Sequence, residues 1–87
     1  MYWDIKKIEI IDKENYTLKV FFADGLNGLV KFEPSFFRGV FAHLINPDEF
    51  DKATIFDNVV TWPGHLDLAP DAMWEGIKDN NGIHILK

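Results

Sequence analysis

Three runs of alternating apolar and polar residues occupy the first part of the chain, at positions 5–11, 16–23 and 29–33. A period of two is typical of β-strands that bury one face. Short polar segments rich in Asp, Asn and Gly separate the runs, as they do in hairpins. The pattern therefore predicts a three-stranded antiparallel meander over residues 1–33.

At Pro34 the period changes from two to about 3.6. Pairs of apolar residues then recur every four positions through residues 36–45. This spacing predicts a helix whose apolar face covers the meander, and Gly39 in its middle favours a break.

A second helix start follows directly, with acidic residues near the positive end of the helix dipole. Asn46 is predicted as the N-cap and Pro47 as the first helical residue, and Glu49 is placed to reach back to the cap. We expect a short helix from Pro47 to about Lys52, with Phe50 pointing inward.

Two further β runs lie at 53–56 and 59–62. Asp57 and Asn58 separate them, and a pair of this kind favours a two-residue hairpin turn. The sequence therefore predicts a β-hairpin over residues 53–62.

A last helix is predicted to begin at Pro70 and to end at residues 80–82, where two asparagines precede a glycine. Three apolar residues share one face of it: Met73, Trp74 and Ile77. Residues 83–87 fit either a short strand or a frayed end. The prediction is a single α+β domain, 1–87, in which two to three short helices pack against an antiparallel meander and a hairpin.

Charge and composition narrow the class of partner. The net charge of −5 comes from residues 41–87, which hold eight acids against three bases, so this surface disfavours nucleic acid and permits a basic protein. Acids that only keep a small domain soluble give the same pattern. The chain has no cysteine and no apolar run long enough to span a membrane, and we expect a cytoplasmic location.

Residues 62–71 combine a tryptophan, two prolines, a glycine and two aspartates. We interpret them as a structural turn. Trp62 is predicted to fill space between the hairpin and the last helix, and Gly64 to adopt a positive φ. Asp67 is predicted to accept backbone N–H groups or to cap the helix that begins near Pro70, and Asp71 to favour its dipole.

This turn, together with residues 22–25, 41–44 and 48–50, resembles the small bacterial domains called domain of unknown function 2442. The resemblance extends over nearly the whole chain. It implies a stand-alone domain, often encoded beside a second small protein in pairs suggestive of toxin and antitoxin, or the N-terminal part of a helix-turn-helix regulator. It supplies no catalytic residue, and its pattern gives no support to a metal site built on His65.

An enzymatic alternative uses the polar residues of the turn. His65 and Asp67 stand two positions apart, with His43 or His84 as further metal ligands, and Asp67 with Asp71 forms a carboxylate pair. No recognised metal-binding or nucleophile spacing is present. We therefore predict no catalytic, cofactor-binding or metal-binding residue, and keep as the alternative a small hydrolase or metal-dependent enzyme using His65, Asp67 and Asp71.

The aromatic residues are more numerous than one helix face needs in so small a chain. Interface candidates among them are Tyr2, Trp3, Phe36, Phe37 and Trp74. With the family resemblance, they favour a non-enzymatic module that binds another protein, without cofactor or membrane. Open strand edges also favour a homodimer. A ligand-sensing domain is a further alternative, and it requires a cavity between the meander and residues 36–45.

Overall fold

The computed structural model describes residues 1–87 and has an α+β fold, as the sequence predicts. Its strands are β1 (Ile5–Asp12), β2 (Thr17–Phe22), β3 (Asn27–Phe32), β4 (Thr54–Phe56), β5 (Val59–Trp62), β6 (Leu66–Asp67) and β7 (Ile83–Leu86). The α-helices are α1 (Pro47–Phe50) and α2 (Pro70–Asp79), and 3-10 helices cover Pro34–Phe36 and Gly39–Ile45.

The main sheet has the strand order β1-β2-β3-β7. Strands β1 to β3 form the predicted antiparallel meander, and β7 adds to it in parallel with β3. The C-terminal segment is therefore a strand and not a frayed end. It is an edge strand, and Asn80 covers part of its free edge. The Asn80 backbone carbonyl accepts from the Ile83 N–H (3.2 Å), and the Asn80 side-chain amide donates to the Ile83 carbonyl oxygen (2.9 Å).

The second sheet consists of β4, β5 and β6. The predicted hairpin turn between β4 and β5 is confirmed, because Asp57 and Asn58 have φ angles of 53° and 66°. Positive φ at both central residues is the geometry that matches the twist of a tight hairpin. Strand β6 continues the sheet on the other side of β5 and leads directly into α2.

The α-helix predicted over residues 36–45 is wrong, whereas the break expected near Gly39 is present. Two 3-10 helices replace it, because Arg38 between them is extended (φ −140°, ψ 165°) and Gly39 has a φ of 59°. Neither angle belongs to an α-helix. Leu44 is the one fully buried residue of the two segments, so they cover less of the meander than an amphipathic helix would.

The helix start at Asn46 is confirmed. The Asn46 side chain accepts from the Asp48 N–H at 3.0 Å, Pro47 is the first helical residue, and Phe50 is buried. The Glu49 carboxylate binds Lys52 (3.1 Å). That ion pair takes the place of the predicted contact with the cap.

One hydrophobic core joins the elements. Eleven of its fourteen buried residues come from the main sheet, the second sheet, α1 and α2, and the remaining three are Phe37, Leu44 and Leu68 in the connecting segments. Helix α2 lies against β3 and β7 at two glycines. A Cβ on Gly28 would lie 2.6 Å from Ile77 Cγ2, and one on Gly76 would lie 2.0 Å from the Nδ1 atom of His84. Glycine at these positions lets helix and sheet approach closely.

Candidate functional site

Three aromatic side chains meet on the surface where the N-terminus contacts α2. The Tyr2 ring centroid lies 4.6 Å from that of Trp3 and 4.7 Å from that of Trp74, both in edge-to-face geometry. Tyr2 is 46% exposed, and both tryptophans are partly exposed. We call Tyr2, Trp3 and Trp74 the aromatic patch.

Polar contacts hold the patch in place. The Trp74 indole N–H donates to Asp24 Oδ2 (2.9 Å), while Asp24 Oδ1 accepts from the Leu26 N–H in the turn between β2 and β3. The Lys78 ammonium lies 4.7 Å from the Trp74 ring centroid. The N-terminal amine pairs with Asp4 at 3.0 Å. The patch thus has an apolar centre with charged groups around it.

Of the five predicted interface residues, three form this patch. Phe36 lies elsewhere, half-buried against Phe32 and Phe41. Phe37 is in the core, 7% exposed, because the rings of Tyr16 and Phe32 pack on it. The expectation that Phe37 is available to a partner is therefore wrong.

The turn at residues 62–65 begins with a core residue. Trp62 is 1% exposed, and its indole N–H donates to the Phe50 carbonyl oxygen at 2.9 Å. Its ring neighbours are Phe32 and Phe50, at centroid distances of 5.9 Å and 5.8 Å. Gly64 has a φ of 95°, which confirms the predicted positive φ.

Asp67 does not cap the last helix. It is the second residue of β6, opposite Thr61, and its side chain is exposed. Because side chains alternate along a strand, Asp67 points away from the face where Leu68 is buried. Helix α2 begins at Pro70 with Ala69 as N-cap and no side-chain cap, and Asp71 lies exposed in its first turn.

Replacing Asp67 by Ala is therefore expected to change the free energy of unfolding by about 0.5 kcal/mol or less, the usual range for an exposed residue without partners. Asn46→Ala removes a real cap and should cost about 1 kcal/mol. Urea titrations of the two variants provide the comparison. A larger loss for Asp67→Ala than for Asn46→Ala would contradict the geometry.

The three histidines do not come together. His43 and His65 are exposed, His65 with a φ of 62° in the turn, while His84 is half-buried on β7 beside Gly76. No group of three or more His, Asp or Glu side chains is arranged to hold a metal ion. Burial lowers the pKa of His84 below its usual value of 6.5.

The lowered pKa of His84 predicts a pH effect on stability. Below pH 6.5 the unfolded chain binds a proton at His84 more readily than the folded chain, so folding stability falls as the pH decreases through that value. Melting temperatures measured between about pH 7.5 and 5.5 should fall less for His84→Gln than for the unchanged chain. Equal slopes would contradict this assignment.

A cavity of about 220 Å³ lies between the 3-10 helices, the start of α2 and β7. Phe36 and Phe41 line one side, and Asp67 and His84 are its ionisable residues. The sequence singled out Phe36, Asp67 and His84 for other roles but did not predict that they line one cavity. Gly76 is the available signal, because an unexplained glycine inside a helix often marks a close approach.

The family model for a protein of unknown function, DUF2442, matches residues 8–79. The chain belongs to the DUF2442 family. No curated protein and no solved structure matches it. No helix is long and apolar enough to cross a membrane.

The DUF2442 match includes Trp74 and the turn but stops short of both chain ends. Tyr2 and Trp3 precede the matched residues, and His84 follows them. Two members of the aromatic patch and one polar residue of the cavity therefore lie outside the part of the chain that defines the family.

Proposed function

We propose that this DUF2442 domain is a non-enzymatic protein-interaction module that contacts its partner through the aromatic patch. The partner is a second small protein, and the domain acts as the antitoxin-like half of the pair. The observation that carries the proposal is the half-exposed cluster of Tyr2, Trp3 and Trp74. The proposal assigns this binding to the cytoplasm and requires no cofactor.

Residue type and rigidity support the patch as an interface. Tryptophan and tyrosine are the residues most often found to dominate binding energy at interfaces. Here Asp24 and Lys78 hold Trp74 from two sides. A pre-ordered side chain loses little conformational entropy on binding, so more of its contact energy contributes to affinity.

The test is coexpression with the product of the neighbouring gene, followed by size-exclusion chromatography and affinity measurement. Tyr2→Ala should weaken the complex by about 2 kcal/mol if Tyr2 is an anchor. The matched control is Phe56→Ala, which removes an aromatic that is 66% exposed on a different element, β4. A stable complex that both variants weaken equally, or neither weakens, would overturn the patch assignment.

The antitoxin role has its own measurement. Expression of the neighbouring gene alone should slow bacterial growth, and coexpression of this domain should restore it. Tyr2→Ala should restore growth less completely than Phe56→Ala. Normal growth with the neighbouring gene alone would reject the antitoxin role while leaving the interaction testable by chromatography.

The hydrolase alternative makes the opposite prediction. It requires His65, Asp67 and Asp71 to act together, so His65→Ala would abolish a hydrolytic activity and leave partner binding unchanged. Loss of growth rescue with His65→Ala, at unchanged complex stability, would favour the enzyme over the interaction module.

A further inference from the structure

The main sheet buries one face in the core and leaves its other face without a covering element. The core residues of β1 to β3 all project from the buried face, and α2 packs on that same side at Gly28. Apolar side chains also occur on the open face, where Ile11 and Ile85 are 50% and 43% exposed and Leu29 is partly exposed. We call this open side of the sheet the outer face.

A basic cluster lies at one end of the outer face. The Lys7 and Lys19 ammonium groups lie 5.2 Å and 5.1 Å from the centroid of the partly exposed Phe21 ring. Lys7 pairs with Phe21 across β1 and β2, and Lys19 stands two residues before it, so all three side chains share this face. Because Glu9 binds only Lys7, at 3.2 Å, the basic cluster of Lys7, Lys19 and Phe21 keeps one net positive charge.

A hollow of about 530 Å³ lies at the other end of the same face, beside the turn between β1 and β2. Ile11 and Leu29 supply apolar lining. The charged residues of the lining are Asp12, Glu14, Glu33 and Lys31. None of the three acids has a cationic group within ion-pair distance, and Asp12 accepts only from amide N–H groups. This acidic hollow therefore carries a net negative charge.

Lys19 stands midway between the two features along β2. Phe21 lies two residues after it, and Thr17, which lines the hollow, lies two residues before it. At about 3.3 Å per residue, Phe21 and Thr17 are about 13 Å apart along the strand. A twofold axis that crosses the strands at Lys19 therefore places Phe21 of each copy over Thr17 of the other. The Lys19 ammonium inclines toward its own Phe21 ring, away from this axis.

We propose that two copies of this chain associate through their outer faces, with the basic cluster of each copy seated on the acidic hollow of the other. Opposite charges meet at both contacts, and the same patch serves both copies, as a twofold interface requires. The arrangement also aligns the strands of the two sheets, which is a usual packing of sheet on sheet.

The size of the outer face sets the strength of this dimer. Four paired strands measure about 15–20 Å in each direction, so the contact is smaller than the roughly 800 Å² per partner of a standard interface. The dimer is therefore weak and reversible. The aromatic patch takes no part in it, so the inference does not rest on the proposed function.

Sedimentation equilibrium of the full chain between about 10 µM and 1 mM tests the association. The mass should rise from that of the monomer to twice that value and no further, because a twofold contact closes on itself. Raising the salt from about 50 mM to 500 mM should weaken the dimer. A monomer at every concentration, or a mass that passes that of the dimer, would overturn the inference.

Charge-reversal variants locate the contact. Lys19→Glu should raise the Kd of the dimer about tenfold, because each of the two symmetric contacts loses about threefold. Glu14→Lys should also weaken the dimer. A mixture of the two variants should associate more tightly than either alone, since one contact keeps its natural charges and the other joins two reversed ones. Net charge alone predicts the reverse, because Glu14→Lys makes the chain less negative and would strengthen its self-association.

Two further variants serve as controls, with folding checked by circular dichroism. Lys52→Glu makes the same reversal beside α1, away from the outer face, and should leave the dimer unchanged. Tyr2→Ala should dimerise normally, which separates this result from the fate of the interaction proposal. Equal effects of Lys19→Glu and Lys52→Glu would reject the outer face as the contact. A monomeric chain whose binding to the neighbouring protein is lost in Lys19→Glu would assign this face to that protein and reject the second copy.

Discussion

Replacing Trp62 by Ala is expected to lower the free energy of unfolding by about 3–5 kcal/mol, which approaches the whole stability of a domain this small. The side chain is 1% exposed and packs against Phe32 and Phe50 in the centre of the core. Its removal leaves a large cavity and takes away the shorter of the two hydrogen bonds that the Phe50 carbonyl oxygen accepts, while the bond from the Ala53 N–H (3.3 Å) remains. Urea denaturation followed by circular dichroism measures the loss.

Trp62→Phe is the informative companion variant. It keeps an aromatic ring but cannot donate to the Phe50 carbonyl oxygen, which retains the Ala53 N–H, so the lost hydrogen bond should cost about 1 kcal/mol. A Trp62→Phe variant as unstable as Trp62→Ala would show that the hydrogen bond, and not the ring volume, dominates. Full stability of Trp62→Ala would contradict the core position of this residue.

Gly76→Ala should destabilise the chain by about 1–3 kcal/mol, although alanine is the better helix former. The added Cβ would lie 2.0 Å from the His84 Nδ1 atom, closer than any real contact, so α2 and β7 would have to separate or His84 to move. The measurement is the free energy of unfolding of the single variant.

The sign of the Gly76 effect should reverse when His84 is shortened. In a His84→Ala background the obstacle is gone, and Gly76→Ala should then stabilise the chain by up to about 1 kcal/mol through helix propensity. The four proteins form a double-mutant cycle with a large coupling energy. Independent, additive effects of the two substitutions would contradict the contact between α2 and β7.

Local patterns in the sequence predicted most of the fold correctly. Alternation identified the meander, the Asp57-Asn58 pair identified the hairpin turn, and Asn46 followed by Pro47 identified the start of α1. Each of these depends on residues close in sequence. The turn composition at residues 62–64 also predicted the positive φ of Gly64.

The errors arise where distant residues decide the geometry. Asp67 has the right spacing for a cap, but pairing of β6 with β5 holds it in an extended strand. Phe37 was expected at an interface and is enclosed by rings from other elements. Gly39 alone predicted a weak point in one α-helix. The extended backbone of Arg38 instead separates two 3-10 helices. The cavity is lined by residues as far apart in sequence as Phe36 and Leu86, and no local pattern predicts such a site.

Asn80 limits how copies of this chain can pair through the free edge of β7 at high concentration. In the parallel pairing with β3, His84 and Leu86 direct their backbone groups inward, so the free edge of β7 consists of Ile83 and Ile85. Asn80 already occupies both backbone groups of Ile83, which leaves Ile85 as the main site for an incoming strand. A row of hydrogen-bonding groups this short is a poor template for fibril growth. The sequence expectation of a homodimer through open edges therefore has little room at β7. Asn80→Ala would keep the backbone bond to the Ile83 N–H but free the Ile83 carbonyl oxygen, which adds one acceptor to this edge and should promote aggregation.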